Sequence, residues 1–504
     1  MAAYLKSVPA EQTIDDFASA REQFEAVVGR LRSDAAGGLT HAELEDVVAR
    51  EGREIQRRLF QGYLELRAHR EEVLDSVHGA DGTERTHHRQ ATRGLAVLFG
   101  TVSVLRMSYG ARGASSLRPL DGALNLPEEK YSHGIRRLAA LEAIRGSFDQ
   151  TVESVERQTG VPVPKRQVEE LVVRAAKDFD AFYASGRSAP VEASVGDLLV
   201  LSLDGKGVVM RKEALRELTQ RRAEEAEHKL SRRLSPGEKK NRKRMATVAA
   251  VYDLAPEPRM PWDVIADLRP VRDVARPRRP RARQKRVWAS VAKEAAEVTE
   301  QVFAEALARD PERRRRWVVL VDGDRHQIER VRAAARGLGV KVTLVVDFIH
   351  VLEYLWKAAW CFFESGDRAA DAWVTERAGW VLAGRSGEVA GGIRRKATLG
   401  GLDEAKRKGA DDCADYLIAK RAMLRYDEYL PAGLPIATGV IEGACRHLIG
   451  DRMDITGARW GLEGAEAVLR LRSLRSSGDI DDYWRFHLER EHERNHRALY
   501  DQAA

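Results

Sequence analysis

Two aspartates in this 504-residue sequence stand where carboxylates could hold a metal ion. Asp204 closes the apolar run of residues 198–203, and Asp322 closes a second apolar run, residues 317–321. A run of Leu and Val followed by Asp-Gly predicts a buried strand that ends in a turn. Both aspartates are therefore predicted to lie at the carboxyl ends of strands, facing whatever binds there.

A third carboxylate, Glu442, lies in Gly-Val-Ile-Glu-Gly-Ala-Cys-Arg-His (residues 439–447), where a helix is predicted to begin. Mg²⁺ prefers hard oxygen ligands, and two carboxylate-bridged Mg²⁺ ions can activate a water or a 3′-hydroxyl for attack on a phosphodiester. One aspartate after an apolar run is more often only a turn former. The three acids together predict a metal-dependent phosphoryl-transfer site for nucleic acid, with two Mg²⁺ ions that Mn²⁺ can replace.

Two further acids compete for these roles. Asp324 follows Asp322 by two residues and would share its sheet face if the strand continued, which the Asp-Gly turn makes doubtful. Glu463 also precedes Gly-Ala, as Glu442 does. We retain Asp322 and Glu442 as the predicted pair.

The composition is typical of a soluble globular protein, with 43% hydrophobic and 32% charged residues. No apolar run approaches the roughly 20 residues of a membrane span, and residues 1–12 lack the pattern of a secretory signal. The three cysteines form no CxxC pair, which favours a reducing compartment. We therefore expect a cytoplasmic protein with no membrane partner.

The net charge of +7 says little by itself, but the basic residues cluster. Residues 268–286 are rich in Arg and interrupted by Pro, so they cannot form a continuous helix. Contact with phosphates is favoured over a merely solvated linker. The arginines assigned to this contact are Arg278, Arg279, Arg281 and Arg283.

Residues 147–171 have the pattern of a helix-turn-helix. One helix is predicted to end at Thr159-Gly160, Val-Pro-Val-Pro forms the turn, and a second helix begins near Lys165. Lys165, Arg166 and Gln167 then lie in the first turn of the second helix, where bases or phosphates would be met. An ordinary pair of packed helices fits the pattern equally well.

Hydrophobic periodicity predicts the remaining elements. Tryptophans 356, 360, 373 and 380 are expected in the core rather than stacked on bases. The predicted elements are helices over 14–77, a β-hairpin over 94–109, a strand over 245–253 paired with the strand of Asp204, a helix over 287–309, a helix over 327–338, a strand over 340–346 and mostly helix over 351–429.

Taken in order, these motifs resemble bacterial insertion-sequence DDE transposases of the ISKra type, related to the Mutator-like group. The segments that carry the resemblance are residues 99–109, 118–127, 131–134, 203–206, 321–323, 347–350, 439–447, 451–460 and 465–472. The last three of these are the most specific.

The resemblance implies an α/β fold: an RNase H-like core, with a mixed sheet flanked by helices and an all-α insertion before the catalytic glutamate. A mainly helical N-terminal DNA-binding region with a β-hairpin would precede it. The implied domains are an N-terminal helical region (1–90), a hairpin and helix-turn-helix region (91–190), the first part of the core (191–350), the insertion (351–432) and the C-terminal core helices (433–504).

The resemblance also implies residue roles. Asp204, Asp322 and Glu442 would be the catalytic, metal-binding acids. Asp347 and His350 match an Asp-x-x-His motif near DNA, where His350 would orient or contact the scissile strand, although a structural histidine fits nearly as well. Further DNA contacts are expected from Arg446, Arg459 and Trp460, and helix packing also accounts for the tryptophan.

The implied activity is binding of terminal inverted repeats, followed by DNA cleavage and strand transfer. The partners would be double-stranded DNA of the element ends and of the target, with the protein acting as a homodimer or higher assembly in the bacterial nucleoid. Two alternatives stay open: a structure-specific nuclease on the same core, and a domesticated, non-catalytic DNA-binding regulator.

Overall fold

The computed structural model describes residues 15–186, 196–225, 238–239, 242–268, 279–455 and 457–500. The chain divides into two compact units: a first unit, Met1–Asp178 with Asp481–Ala504, and a second unit, Phe179–Ile480. The region expected over 433–504 is thus shared between both units. Within the described ranges, no helix is long and apolar enough to cross a membrane.

The first unit contains two small antiparallel sheets. Its hairpin joins β3 to β4 in register from His87↔Gly110 to Val97↔Gly100, which confirms the predicted hairpin and extends it to His87. The strands are β1 (Val77–His78), β2 (Glu84–Arg85), β3 (His87–Val97), β4 (Gly100–Ala111) and β5 (Ala114–Leu117).

The helices of the first unit include the predicted pair around Gly160. Gly160 ends the first helix of the pair with φ 71°, a left-handed conformation that glycine adopts without strain. A capping box of Ser147 and Gln150 begins that helix. The helices are Ala18–Leu31, Asp34–Gly37, His41–His69, Pro119–Ala123, His133–Ala143, Phe148–Thr159, Lys165–Ala175, Ile480–Asn495 (in this unit from Asp481) and the 3₁₀ turn Arg497–Leu499.

The second unit is built on one five-stranded mixed sheet. Its strands are β6 (Leu198–Val209), β7 (Lys243–Leu254), β8 (Arg283–Ser290), β9 (Trp317–Val321) and β10 (Val342–Val346). The spatial order is β10-β9-β6-β7-β8. β6, β7 and β8 are antiparallel neighbours, whereas β9 and β10 run parallel to β6. The predicted pairing of the Asp204 strand with residues 245–253 is confirmed.

Helices flank this sheet, as expected. Every residue of β9 is buried, which is typical of a parallel strand covered on both faces. The helix Ala295–Arg309 packs on β6 and β7, and the helix Leu462–Ser477 packs on β8. This mixed α/β architecture is compatible with the expected RNase H-like core.

One predicted helix, residues 287–309, is wrong in its first part. Residues up to Ser290 belong to β8, which pairs with β7, and the helix begins only at Ala295. Residues 286–290 are all buried, and the short apolar run 287–289 within them fits either a strand or a helix. The long-range pairing with β7 decides the outcome.

The segment between β10 and the Glu442 helix is all-α, as predicted. Trp373 is buried, but Trp360 is 48% exposed, so the expectation of core tryptophans is wrong at that position. The helices of the second unit are Phe179–Ala184, Glu217–Glu225, Pro261–Leu268, Ala295–Arg309, Arg325–Gly337, Phe348–Ala359, Arg368–Leu382, Ser386–Leu399, Glu404–Ala419, Tyr426–Tyr429, Gly439–Ala444, Asp451–Met453 and Leu462–Ser477, with 3₁₀ turns Lys212–Ala214 and Arg421–Met423 and a π-helical turn Cys445–Gly450.

Candidate active site

The parallel half of the sheet aligns three aspartates in one row. β6 and β9 pair from Leu199↔Trp317 to Ser202↔Leu320, and continuing this register by two residues sets Asp204 beside Asp322. β10 pairs with β9 up to Val346↔Val321, so the next row sets Asp347 beside Asp322. The sheet therefore brings Asp204, Asp322 and Asp347 to one edge, on three neighbouring strands.

Asp204 differs from its predicted position in one respect. It lies within β6, not at the strand's carboxyl end, because the antiparallel ladder with β7 continues from Asp204↔Val248 to Val209↔Lys243. The Asp204-Gly205 pair, which we predicted to form a turn, is extended in the structure. The parallel ladder with β9 does stop before Asp204, which leaves the carboxylate half-buried at the edge of that ladder.

Asp322 directly follows β9 and is held by several hydrogen bonds. Its Oδ1 accepts from the Asp324 backbone N–H at 2.7 Å. The Tyr416 hydroxyl donates to the Asp322 carbonyl oxygen at 2.9 Å. Asp324 is exposed, and its Oδ1 accepts from the Gln327 N–H at 2.8 Å. It therefore acts as the N-cap of the helix Arg325–Gly337.

Gln327 ties the ends of β6 and β9 together, a role that sequence reasoning missed. Its side-chain Nε2 donates to the Leu203 carbonyl oxygen at 2.9 Å, and its Oε1 accepts from the Asp322 N–H at 3.2 Å. The side chain is buried. One amide thus fixes the backbone beside both Asp204 and Asp322; a glutamine in a charged helix gave no signal of this.

Asp347 is fully buried and links β10 to the start of the Glu442 helix. Its Oδ1 accepts from the Ile349 N–H at 2.8 Å, and its Oδ2 accepts from the Thr438 hydroxyl. Thr438 immediately precedes the helix Gly439–Ala444. Burial and these two donors make Asp347 a positioning residue in this conformation, which corrects its assignment as a DNA contact.

Glu442 lies on the helix Gly439–Ala444, which was predicted, and its side chain is exposed. That helix continues through the π-helical turn Cys445–Gly450, a distortion that often marks functional sites. The Cys445 thiol donates to Asp204 Oδ2 at 3.2 Å. The helix that carries the third acid therefore contacts the first acid directly.

The acids influence one another electrostatically. Burial raises the pKa of Asp322, and the neighbouring carboxylates of Asp204 and Asp324 raise it further. Desolvation likewise raises the pKa of Glu442, with added repulsion from Asp347 and Asp204. His350 opposes both shifts, so it lies close enough to Asp322 and Glu442 to stabilise their charged forms.

The other residues expected near DNA at this site divide into two groups. His350 is partly exposed, with Nδ1 3.5 Å from Glu353 Oε2. Arg446, 3.8 Å from Asp451, and Arg459 are exposed. Trp460 is buried, and its indole N–H donates to the Met453 carbonyl oxygen at 3.1 Å. The packing alternative therefore holds for Trp460, and its assignment as a DNA contact is wrong in this conformation.

The predicted basic contacts are mostly paired with acids. In the first unit, the Lys165 ammonium lies 2.9 Å from Asp149, and Arg166 and Gln167 both bind Glu170. In the second unit, Arg279 lies 3.2 Å from Glu257, Arg283 pairs with Asp197, and Arg281 is exposed. Arg278 lies outside the described residues. DNA contact by these residues stays a prediction.

The donor set at the sheet edge fits Mg²⁺ because Asp204, Asp322 and Glu442 offer only carboxylate oxygens. Their ligand atoms do not all lie within 4.8 Å of one another. Among the described residues, a buried Asp/His/Glu group in the first unit does have its ligand atoms within 4.8 Å of one another: Asp178, His487 and Glu491.

The geometry of the Asp178, His487 and Glu491 group could hold a metal ion, but guanidinium groups already occupy it. Arg494 binds both oxygens of Asp178, and Arg136 binds Glu491 Oε2 and approaches His487 Nε2 at 3.1 Å. Burial would raise the pKa of Glu491, but the charge of Arg136 and hydrogen bonds from Arg136 and Arg494 lower it to about 2. We read this group as a buried ion network.

Comparisons with known proteins do not assign the chain to a family. No family model matches it. No curated protein matches it either. The structure is similar to that of the Drosophila P element transposase strand transfer complex, with 10% sequence identity over 71% of this chain and 80% of that chain and a TM-score of 0.23. A likeness at this level carries no argument, so the functional case rests on the site itself.

Proposed function

We propose that the second unit is the RNase H-like catalytic core of a DDE transposase. The observation that carries the proposal is the row of Asp204 and Asp322 on neighbouring strands, with the Glu442 helix bound to Asp204 through Cys445. Strands hold the first two carboxylates rigidly, and the helix brings in the third. Such an arrangement suits a site where charge must be positioned before reaction.

Asp204, Asp322 and Glu442 would hold the Mg²⁺ ions. When bound, these ions would activate the attacking oxygen and stabilise the leaving oxygen of a phosphodiester. The raised pKa values of Asp322 and Glu442 favour such a role, because a nearby cation relieves repulsion between the acids. Gln327 and Tyr416 fix the backbone at the acids, and the partly exposed His350 would contact the scissile strand.

The proposed substrate is double-stranded DNA, as element ends and as target. Regions 1–90 and 91–190 would read the terminal inverted repeats, and the basic side chains would neutralise phosphates. Pairing of two ends requires a dimer or a higher assembly. Within the second unit, the proposed core comprises residues 191–350 and 433–480, with the all-α insertion between them.

The test uses a labelled duplex that carries candidate element ends, incubated with Mg²⁺ or with EDTA. We expect Mg²⁺-dependent nicking at the element boundary and joined products. Asp204→Asn should abolish both while DNA binding persists. Glu463→Gln is the matched control, because Glu463 is an exposed carboxylate on another helix and its loss should leave nicking unchanged.

The alternatives give different results in the same assay. Nicking without joined products would favour a structure-specific nuclease. Binding without any nicking would favour a non-catalytic regulator. Full nicking by Asp204→Asn would refute the assignment of the acids.

A further inference from the structure

A cavity in the all-α insertion, wide open to solvent, is lined by basic, aromatic and aliphatic side chains. Its volume is about 570 Å³, within the range of roughly 300–1,000 Å³ typical of ligand pockets. Among the described residues that line it, none is acidic. The lining includes Phe362, Gly392, Arg395, Lys396, Leu399 and Leu402.

One wall of the cavity is a single helical face. Gly392, Arg395, Lys396 and Leu399 follow the spacing i, i+3, i+4, i+7 on the helix Ser386–Leu399, so they are neighbours on its surface. Leu399 is 78% exposed, so its side chain is accessible to a ligand in the cavity. No carboxylate of the described residues forms an ion pair with Arg395 or Lys396.

Another part of the lining is aromatic. Phe362 is half-buried, and the Lys396 ammonium lies 5.3 Å from its ring centroid and 4.8 Å from that of Phe363. A cation above aromatic rings, beside an apolar side chain, matches a flat ligand that carries negative charge. Bases stack on aromatic faces, and phosphates bind Arg and Lys, so a nucleotide satisfies both parts of the wall.

The cavity lies at the far end of the helix that begins at the acid site. The helix Phe348–Ala359 is capped by Asp347 and has 12 residues, which at about 1.5 Å per residue corresponds to roughly 18 Å. Cys361 and Phe362 follow it directly. A DNA strand whose phosphodiester is at the acids could reach the cavity within a few nucleotides.

We propose that this cavity binds one unpaired nucleotide of DNA, with the base against Phe362 and Leu399 and the phosphate between Arg395 and Lys396. Bases inside a duplex are stacked on their neighbours and cannot stack on Phe362, whereas an unpaired base can. The proposal rests on the proposed function, since it takes DNA as the ligand. It adds a second contact, outside the acid site, that selects unpaired DNA.

Two neighbouring glycines provide the test. A side chain at Gly392 or at Gly391 would meet nothing within 4 Å, and both are exposed on the helix Ser386–Leu399. Only Gly392 lines the cavity. Gly392→Leu should therefore fill the cavity without a change of charge, and Gly391→Leu is its matched control.

Binding is measured by fluorescence anisotropy in EDTA, with the full chain and a labelled oligodeoxythymidine. We expect Gly392→Leu to weaken this binding about tenfold and Gly391→Leu to change it by less than about twofold, since stacking of one base contributes that much. A duplex of the same length should bind both variants as it binds the unchanged protein. Arg395→Glu should also weaken single-strand binding.

Three results would overturn the proposal: equal losses in the two glycine variants, no loss in Gly392→Leu, or an equal loss for the duplex. The proposed function can fail separately. If the unchanged protein never nicks DNA with Mg²⁺ but its single-strand binding depends on Gly392, the cavity stands and the transposase activity falls. If it nicks DNA but Gly392→Leu binds oligodeoxythymidine normally, only the cavity proposal falls.

Discussion

The contact between Gly323 and Tyr416 should control the geometry of the second acid. Gly323 follows Asp322 with φ 96°, a conformation that side chains rarely adopt. A Cβ at this position would lie 2.7 Å from the Tyr416 hydroxyl oxygen and 3.0 and 3.1 Å from its ring carbons. The same hydroxyl donates to the Asp322 carbonyl oxygen at 2.9 Å, and the Tyr416 ring stacks on Tyr354. The ring therefore cannot move aside without loss of both contacts.

The expected effect of Gly323→Ala follows from two contributions. The backbone strain of a non-glycine residue at positive φ costs roughly 1–2 kcal/mol, and loss of the Tyr416 hydrogen bond costs about 1 kcal/mol. We therefore expect the free energy of unfolding of the second unit to fall by about 2–3 kcal/mol. Tyr416→Phe, which removes only the hydrogen bond, should lower it by about 1 kcal/mol.

Urea unfolding followed by tryptophan fluorescence measures these changes, because Trp288 and Trp317 are buried in the sheet. Gly391→Ala is the control: its site is open and helical, so it should be neutral or stabilising by up to about 1 kcal/mol. In the double variant Gly323→Ala/Tyr416→Phe, the loss of stability should be smaller than the sum of the two single losses, because the hydrogen bond of the hydroxyl is lost only once. Strictly additive losses, or an unchanged stability in Gly323→Ala, would refute the reasoning.

Two more predictions concern charge. Arg136→Met should lower the free energy of unfolding of the first unit by about 3 kcal/mol, because the buried Glu491 loses the guanidinium at its Oε2, although Arg494 still binds its Oε1; Arg137→Met, at a partly exposed position, is the control, and equal small losses would contradict the ion network. The pKa of Glu491 is held at about 2. The charged Glu491 therefore contributes its full stabilisation of the fold above the ordinary glutamate pKa, and this stabilisation is lost as the pH falls through the lowered pKa. The acid unfolding curve should accordingly be less steep in Arg136→Met. The pKa values of Asp322 and Glu442 are raised, so these carboxylates take up protons at a higher pH than usual. The Mn²⁺ affinity, measured by calorimetry, should therefore begin to fall at a pH above the ordinary carboxylate pKa of about 4. A constant affinity down to that pH would contradict the proximity of the acids.

The sequence predicts the second unit well wherever local pattern and long-range packing agree. The apolar runs before Asp204 and Asp322 become β6 and β9, and the Glu442 segment becomes a helix. Buried parallel strands are continuous apolar runs, so they can be recognised without knowledge of their partners. The residue types of the candidate site could thus be predicted.

The relations between distant segments could not be predicted in the same way. Residues 283–290 join the sheet only because β7 lies beside them, and Asp204 stays extended only because β7 continues past it. Gln327 has a role set by a backbone carbonyl 124 residues away, and Thr438 has one set by a side-chain carboxylate 91 residues away. Hydrogen-bond partners of this kind leave no periodic pattern in the sequence.

Solvent exposure was also beyond prediction from local pattern. Trp360 was expected in the core, and Trp460 was expected either at DNA or in helix packing, yet Trp360 is 48% exposed and Trp460 is 5% exposed. Asp347 lies in a motif expected at DNA but is fully buried as a link to Thr438. Which side of a helix or strand end faces solvent depends on tertiary packing.

Mn²⁺ binding is the measurement that tests the central claim most directly. The claim is that Asp204, Asp322 and Glu442 form one metal site at the edge of the sheet. Calorimetric titration of the full chain should show Mn²⁺ binding that is lost or strongly weakened in Asp204→Asn, Asp322→Asn and Glu442→Gln but kept in Glu463→Gln and Asp178→Asn. Binding that survives all three substitutions at the sheet edge, or that is lost instead in Asp178→Asn, would contradict the claim.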